Sequence, residues 1–248
     1  MEKQFEQLYH DLERQHWWFN SRRKQVLEMA KPVKGEKILD VGCASGLLLE
    51  DLVDAGMDKN DLHGIDVSEE AIEKCHTKGF ANTHVMDGAA ITLEKGSFDL
   101  LIASDCLEHI ENDEKALSNW FSLLKPGGRI VVFVPAFMSL WSAHDVVNYH
   151  FRRYTKPELA SKAKKAGVKI VRKGYWNFFL FLPILLVRSV KNLFGEKEID
   201  PEKVASDLQP TPAPINQILK VILRIEATLL KMIEFPFGVS TYFTGRKQ

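Results

Sequence analysis

The segment ILDVGCASG, residues 38–46, decides the fold, because it predicts a short apolar strand, a glycine turn and the start of a helix. Gly42 and Gly46 allow a tight turn and a close approach of the backbone to a ligand, and the helix N-terminus presents free amide donors. Dinucleotide sites prefer the spacing GxGxxG, but Ala44 occupies the second glycine position, and no phosphate-loop lysine follows. The segment therefore predicts a strand–turn–helix binding loop that is not shaped for a pyrophosphate.

Around this segment, between residues 36 and 134, short β-rich runs alternate with helical stretches. The predicted strands are Lys37–Val41, Leu62–Val67, Thr83–Met86, Phe98–Ala103 and Arg129–Val134. The predicted helices between them are Gly46–Ala55, Glu69–Lys78 and Asn112–Leu124, and the sequence KPGG at 125–128 predicts a helix stop and a turn. This alternation is typical of a parallel sheet covered on both faces.

The two ends of the chain extend the pattern. Residues 5–30 predict an N-terminal helix, and a later helix Pro157–Ala166 precedes a strand Val168–Tyr175 and a last strand Ser240–Gly245. Residues 176–238 do not fit the alternation and are interpreted as an apolar helical insertion. We therefore predict an α/β fold: a Rossmann-like, seven-stranded, mostly parallel sheet with helices on both faces, an N-terminal helix, and a helical insertion before the last strand. Residues 1–175 and 239–248 would form the binding domain.

Composition excludes several classes of protein. The 33 Lys and Arg residues are balanced by 33 Asp and Glu residues, whereas a protein that coats nucleic acid needs a basic surplus on at least one face. The cysteines Cys43, Cys75 and Cys106 are odd in number and show no CxxC spacing, which favours a reducing compartment. The first residues mix charges of both signs where a signal peptide would be apolar. We expect no nucleic-acid partner and a cytoplasmic protein, either free or peripheral at the inner face of the membrane.

Two carboxylates follow predicted strands at the edge where such sheets bind ligands. Asp66 ends the second strand about 20 residues after the glycine turn, where a carboxylate can accept both hydroxyls of a ribose. Asp87, followed by Gly88, ends the third strand and can accept from an exocyclic amine such as that of adenine. Together with the glycine turn, these residues predict a site for an adenosine-containing ligand.

The chain resembles the class I S-adenosylmethionine-dependent methyltransferases, whose successive motifs are matched in order by DVGCASG (40–46), GIDVS (64–68), VMDGAA (85–90), FDLLIASDCLEHI (98–110) and LKPGGRIVV (124–132). The resemblance implies S-adenosyl-L-methionine as the cofactor and assigns to it Asp40, Gly42, Cys43, Gly46, Asp66, Val67, Asp87, Gly88 and Asp105. Asp40 and the two glycines would line its methionine end, Asp66 its ribose and Asp87 its adenine, with Asp105 at the mouth where cofactor meets acceptor. The alternative is that these are only turn and capping residues.

A narrower resemblance, to a type 11-like bacterial subgroup, rests on two further segments. HWWF at 16–19 with Arg22 and Arg23, and His144-Asp145 with HFRRY at 150–154, look similar to enzymes linked to glycan or lipid-linked sugar metabolism. The tryptophans Trp17 and Trp18 would either close over the cofactor or only pack their helix on the domain. The acceptor is accordingly expected to be a small molecule or a lipid-linked glycan or isoprenoid.

Methyl transfer needs mainly an in-line approach of the acceptor in a site with little water. An oxygen acceptor also benefits from a general base, and the sequence favours His109, just after the fourth strand, with His144 and His150 as further catalytic candidates. His109 would alternatively cap the next helix or pack beside the cofactor. Glu108 and His109 together resemble metal-assisted members of the wider family, but two adjacent residues rarely present both side chains to one ion, so no metal is predicted.

Arg152, Arg153 and Tyr154 are predicted to bind the acceptor. Two guanidinium groups can hold a phosphate or carboxylate in bidentate fashion, and the segment follows the fifth strand at the ligand-binding edge. A solvated helix start with surface ion pairs is the alternative.

The predicted insertion contains two apolar segments. FFLFLPILLV at 178–187 is followed by Arg188 and Lys191, and residues 215–233 place isoleucines and leucines at helical spacing with basic residues between them. These segments would form a lid for a long acyl or isoprenoid chain or contact a membrane surface, or else pack as an ordinary helical cap. We therefore predict a methyltransferase acting at oxygen. A non-catalytic cofactor-binding module is the alternative, and an RNA methyltransferase is disfavoured by the neutral charge and by the absence of an NPPY-like tetrapeptide.

Overall fold

The computed structural model describes residues 13–194 and 211–248, without the side chains of residues 191–194. Part of the predicted N-terminal helix, with Phe5 and Tyr9, and the charged stretch 196–203 of the insertion lie outside the described residues.

One sheet organises the described chain. Its strands are β1 (Ile38–Val41), β2 (Leu62–Asp66), β3 (Thr83–Val85), β4 (Phe98–Ser104), β5 (Leu124–Pro135), β6 (Lys169–Trp176) and β7 (Ser240–Arg246). They lie in the order β3-β2-β1-β4-β5-β7-β6. The first five pair in parallel, and β7 runs antiparallel to both β5 and β6. The predicted seven-stranded, mostly parallel α/β fold is confirmed.

Helices cover both faces of this sheet. They are α1 (Trp17–Ala30), α2 (Leu47–Asp54), α3 (Glu69–Thr77), α4 (Asp113–Leu123), α5 (Ala143–Val147), α6 (Lys156–Lys165), α7 (Phe181–Phe194) and α8 (Ala213–Leu229). Short 3-10 turns occur at Lys59–Asp61, Leu107–His109 and Met138–Leu140. α7 and α8 lie in the chain between β6 and β7.

The alternation of side chains along the strands produces two separate cores. Leu39 and Val41 of β1 belong to one core with Trp120 of α4, whereas Ile38 belongs to the other with Leu49 of α2. Neighbouring side chains of a strand point to opposite faces, and every residue of β1 is buried, which requires apolar cover on both sides. The sheet is thus fixed from both faces, and its carboxyl edge is a rigid platform for a site.

Two boundaries differ from the sequence prediction. The N-terminal helix is interrupted at residues 14–16, and α1 begins at Trp17, because the His16 side chain caps it by accepting from the amide of Trp18 at 3.4 Å. β5 already begins at Leu124, so the predicted turn at 125–128 lies within the strand. The pairing with β4 jumps there from Leu124 to Arg129, and this irregularity accommodates the glycines.

α8 is attached to the sheet through one face only. Leu223 and Leu230 are buried in the core that also holds Trp176. Between them Glu226, fully buried, accepts from the backbone amides of Asn177 and Phe179 at the end of β6. None of the helices in the described parts of the chain has both the length and the apolar character needed to cross a membrane.

Candidate active site

A cavity of about 1510 Å³ opens at the carboxyl ends of the parallel strands. One side of it, called here the glycine-loop side, is formed by residues 40, 42–44, 65–68 and 86–88 at the ends of β1, β2 and β3. The opposite side, called here the histidine side, contains Asp105, Glu108, His109, His144 and His150, with α1, α7 and α8 forming its wall. The carboxyl edge of such sheets is where ligands bind.

The glycine loop is held open by its backbone conformation. Gly42 and Gly46 have φ values of 79° and 78°, and Ala44 between them has φ 45°. The amides of Gly42 and Cys43 both donate to the carbonyl of Ile65 at 2.9 Å, which ties the loop to β2. A Cβ atom at Gly42 would lie 3.1 Å from the Cβ of Cys106, so the site requires a glycine there. Gly46 packs against Cys75 and does not line the cavity.

Two carboxylates give the glycine-loop side its charge. The two oxygens of Asp66 accept from the amides of Ala44 at 2.9 Å and Ser68 at 3.0 Å, so its carboxylate is fixed between the glycine loop and α3. Asp40 is buried at the end of β1, and burial, followed by the charge of Asp66, raises the pKa of Asp40 to about 8. A cationic or hydrogen-bonding ligand group beside Asp40 would stabilise its carboxylate form.

Beyond Asp66 the cavity wall becomes partly apolar. Val67 is 71% exposed although apolar, and Met86 and Ile110 also line the cavity. Asp87 is exposed and accepts from the amide of Ala89 at 2.8 Å. The carbonyl of Gly88 accepts from the indole of Trp120 at 2.7 Å, which fixes the turn. An exposed apolar side chain next to a carboxylate suits a flat heterocycle with an amino group.

An ion pair joins the histidine side to α1. Both oxygens of Asp105, whose φ is 54°, accept from Nη1 of Arg22, at 2.6 and 2.7 Å. Arg22 is buried, donates to the hydroxyl of Ser240 at 2.8 Å, and lies over the rings of Trp18 and Trp176. The bidentate pair therefore fixes both the strained end of β4 and the helix that covers the cavity.

Three imidazoles meet on the histidine side. The rings of His109 and His150 are perpendicular with centroids 4.5 Å apart, and the ring of His144 lies 6.0 Å from that of His150. His109 is open to the cavity but enclosed by its walls; this burial, followed by the proximity of His150, lowers the pKa of His109 to about 4. The same two causes lower the pKa of His144 to about 4. Both rings are therefore neutral near pH 7.

His150 is oriented by a buried carboxylate. Its Nδ1 lies 2.9 Å from Oδ1 of Asp145, and the carboxylate of Asp145 also accepts from Nε of Arg153 at 2.7 Å and from Nη2 at 2.9 Å. Burial raises the pKa of Asp145, but the hydrogen bonds and charges of His150 and Arg153 outweigh it, and the net pKa lies well below the usual range. The guanidinium group of Arg153 is therefore paired with Asp145, although the residue also lines the cavity.

The other two residues predicted to bind the acceptor do not line the cavity. Tyr154 is fully buried and donates its hydroxyl to Asp113 at 2.8 Å. Arg152 also pairs with Asp113, at 3.0 Å, and donates to the carbonyl of Glu111. Their ion-pair and hydrogen-bond partners connect the 150–154 segment to α4, so the structure gives both residues a structural position in place of the predicted contact with the acceptor.

Glu108 is an unusual member of the site. Its side chain is 1% exposed, and neither carboxylate oxygen accepts a hydrogen bond from another residue. Burial, followed by the charge of Asp105, raises the pKa of Glu108 well above its usual value. The sequence pattern drew attention to Glu108 only as the neighbour of His109 and gave it no role of its own.

The sequence did not reveal the part that two further residues, Arg22 and Asp145, play in the site. Arg22 was noted only as part of a resemblance, and Asp145 only as one residue of a segment suited to the acceptor, although each bonds to one of the predicted site residues. The spacing of Trp18 and Arg22, four residues apart on one helix face, was the available signal for the α1 wall. Trp17 and Trp18 both line the cavity and also pack against the core on the α1 face of the sheet.

Comparison with known proteins identifies the family to which this chain belongs. Residues 39–132 match the family model described as a methyltransferase domain. A ubiquinone biosynthesis O-methyltransferase of Coxiella burnetii is 30% identical over 186 residues, which cover 63% of this chain and 78% of that protein. The chain belongs to the class I S-adenosylmethionine-dependent methyltransferases. It is an enzyme of that class, and its cofactor is S-adenosyl-L-methionine, as the sequence motifs predicted.

Solved structures share the fold across most of the chain. A methyltransferase dependent on S-adenosylmethionine from Archaeoglobus fulgidus superposes with a TM-score of 0.60 at 19% identity, covering 97% of this chain and 99% of that one. A phosphoethanolamine N-methyltransferase of Haemonchus contortus, solved with S-adenosyl-L-methionine, gives a TM-score of 0.58 at 21% identity over 91% of this chain and 52% of that one. At this identity the likeness concerns the fold.

Proposed function

We propose that this methyltransferase acts at an oxygen atom of a hydroxylated acceptor that carries an apolar, lipid-like chain. The observation that carries the proposal is the histidine side of the cavity, where neutral imidazoles face an opening lined by apolar helices. The Coxiella burnetii relative, whose name is that of an O-methyltransferase of ubiquinone biosynthesis, supports the same chemistry.

In this proposal the glycine-loop side holds the cofactor. Asp66 accepts the ribose hydroxyls, Asp87 the adenine amino group beside Gly88, and Val67 contacts the adenine ring. Asp40, with Gly42 and Cys43, surrounds the methionine end, and Gly46 acts indirectly by shaping the loop. The space that a Cβ atom at Gly42 would fill supports this assignment. Bound there, the cofactor supplies an electrophilic methyl group on a sulfonium sulfur.

The histidine side then positions the acceptor. Its hydroxyl would lie near His109 and His150 and release its proton to solvent as the oxygen takes the methyl group. The bound cofactor would supply that group by breaking its sulfur–carbon bond, with the electron pair remaining on sulfur. His109 and His144 accept protons poorly at a pKa of about 4, so they serve mainly to orient the hydroxyl. Asp105, held by Arg22, fixes the edge at which the two ligands meet.

The insertion, residues 176–238, forms an apolar lid in this proposal. Leu180, Ile184 and Val187 line the cavity from the α7 side, and Leu219 lines it from α8. The same helices carry exposed apolar side chains on their outer faces, among them Leu186, Ile218 and Ile225. An acyl or isoprenoid chain can therefore continue from the cavity along the lid, and basic residues such as Lys220 and Arg224 suit anionic headgroups at a membrane surface.

The acceptor atom is tested with cofactor labelled with ¹³C in its methyl group. The enzyme is incubated with a lipid extract and, separately, with a panel of phenols, alcohols and amines, and the products are identified by NMR and mass spectrometry. We expect the label in methyl ethers of hydroxylated compounds, with higher turnover for those that carry an apolar tail. Labelled N-methyl or C-methyl products alone would contradict the proposal.

The lid is tested by flotation with anionic phospholipid vesicles. The double variant Ile218→Ser/Ile225→Ser removes two exposed side chains from one face of α8, and the control Val33→Ser/Val171→Ser removes two equally exposed ones outside the insertion. We expect the α8 variant to float less than the wild type and the control to float like the wild type. Equal recovery of all three proteins in the soluble fraction would remove membrane contact from the proposal.

A further inference from the structure

Glu108, His109 and His150 form a compact set of ligand atoms. Among the described residues, one such atom from each of these three side chains lies within 4.8 Å of the other two. Glu108 and His109 belong to the turn Leu107–His109 after β4, and His150 follows α5. The two segments are tied together because the amide of Phe151 donates to the carbonyl of Glu108 at 2.8 Å.

The carboxylate of Glu108 has no partner in the described part of the protein. It is buried, neither oxygen accepts a hydrogen bond from another residue, and the two nearby arginines, Arg22 and Arg153, bind Asp105 and Asp145. A buried carboxylate without a partner is unfavourable, since buried charges in proteins are paired or coordinate metals. Glu108 therefore needs a partner that the described residues do not supply.

His150 is held as metal-ligating histidines are usually held, and the ring of His109 packs against it. Nδ1 of His150 bonds to the buried carboxylate of Asp145, which leaves Nε2 as its second ligand atom. The ring of His109 packs perpendicular to that of His150, with the centroids 4.5 Å apart, which brings the two imidazoles together. An imidazole that ligates a metal normally donates its other N–H to a carboxylate or a carbonyl, which fixes its tautomer and orientation.

We infer that Glu108, His109 and His150 bind one divalent cation of the zinc class, with a further position open to the cavity. Two imidazoles and one carboxylate form a ligand set of catalytic zinc sites, which keep one position for water or substrate. No metal was predicted from the sequence because Glu108 and His109 are adjacent; the short turn nevertheless brings both to His150. Asp145 is a positioning residue, acting through His150.

For catalysis the inference rests on the proposed function. A cation in this place would bind the acceptor hydroxyl as its oxyanion, with the proton released to solvent, and the oxyanion would then form the bond to the methyl carbon. Such a cation would allow the hydroxyl to lose its proton without a side-chain base. Metal binding itself can be measured without an acceptor.

The direct test is a titration of chelator-treated full-length protein with Zn²⁺ by calorimetry and with Co²⁺ by visible absorption. We expect one equivalent to bind, with the d–d bands of nitrogen and oxygen ligands. Glu108→Gln should lose the site, and Asp145→Asn should weaken it about 10- to 100-fold, whereas Glu111→Gln, an exposed acid nearby, should bind like the wild type. Circular dichroism and S-adenosylmethionine binding verify that each variant is folded.

Several results would overturn the inference. These are the absence of stoichiometric binding by the folded wild type, equal affinity in Glu108→Gln, and a Co²⁺–thiolate charge-transfer band, which would place the ion on cysteine. If the chelated enzyme still forms methyl ethers at the full rate, the cation has no role in catalysis and the proposed function stands. If the cation binds as expected and no O-methylated product forms, the proposed function fails and the metal site stands.

Discussion

The glycine-loop side and the histidine side of the cavity differ in how much of the chain builds them. The glycine-loop side comes from residues 40–88 at the ends of three neighbouring strands, with contacts such as that of Asp66 to the amide of Ala44. The histidine side joins α1, the end of β4, the segment after β5 and the insertion. The first is a local structure of strand ends, whereas the second depends on contacts between distant segments. Substitutions on the two sides should accordingly have separable effects.

The largest effect is expected on the histidine side. His109→Ala should lower turnover by about 10²- to 10⁴-fold, because it removes an imidazole that positions the acceptor hydroxyl for proton loss and methyl transfer, while cofactor affinity changes little. Steady-state kinetics and calorimetry measure the two quantities. His84→Ala, an exposed histidine of β3 outside the cavity, is the matched control and should retain activity. Parallel losses of affinity and rate in His109→Ala would assign that residue to packing beside the cofactor. The two sides of the cavity would then not have separable effects.

The next largest effect is expected on the stability of the protein, when buried and exposed residues of α8 are substituted. Leu223→Ala should destabilise the protein by about 2–5 kcal/mol, because it leaves a cavity in the core. Ile225→Ala, on the exposed face, should stay within about 0.5 kcal/mol. Urea unfolding of both variants measures the free energies. A large loss for Ile225→Ala would mean that the outer apolar face supports the fold, and the lid would then be an ordinary cap.

On the glycine-loop side, Gly42→Val should weaken cofactor binding. A β-branched residue at φ 79° is strained by about 1–3 kcal/mol, and its Cβ would lie 3.1 Å from that of Cys106. If the loop moves to relieve this strain, it leaves the conformation that binds the cofactor. The affinity for the cofactor should therefore fall by up to the same free energy. Gly56→Val, at φ 94° with no atom near its added Cβ, should lower stability but leave calorimetric affinity unchanged. Normal binding by Gly42→Val would show that the loop does not contact the ligand.

The contrast between the two sides also explains what could be predicted from the sequence. The strands and the strand-end carboxylates followed from alternating patterns and from the rule that parallel strands bind ligands at their carboxyl ends. Asp66 and Asp87 could therefore be placed from the sequence alone. The expected helix from residue 5 to residue 30 is helical over 17–30 in its described part, but it is not continuous. The backbone turns at 14–16 and His16 caps a new helix, a local competition that periodicity does not reveal.

On the histidine side the residue types could be predicted, but not their partners. Arg153 looked like an anion-binding residue, yet it pairs with Asp145, and Tyr154 donates to Asp113, a partner 41 residues away. Arg22 and Asp105 are separated by 83 residues. Such pairs form only when the sheet brings their elements together, so spacing alone cannot distinguish an arginine free for substrate from one already bound.

The glycine-loop side should hold the cofactor through the carboxylate of Asp66. The most direct test is a calorimetric titration of S-adenosyl-L-methionine into the wild type, Asp66→Ala, and Asp61→Ala at the opposite end of β2 as the control. We predict that Asp66→Ala binds more weakly by about 1–3 kcal/mol, because the ribose hydroxyls lose their charged acceptor, while Asp61→Ala binds normally. A folded Asp66→Ala protein with wild-type affinity would show that Asp66 does not hold the cofactor.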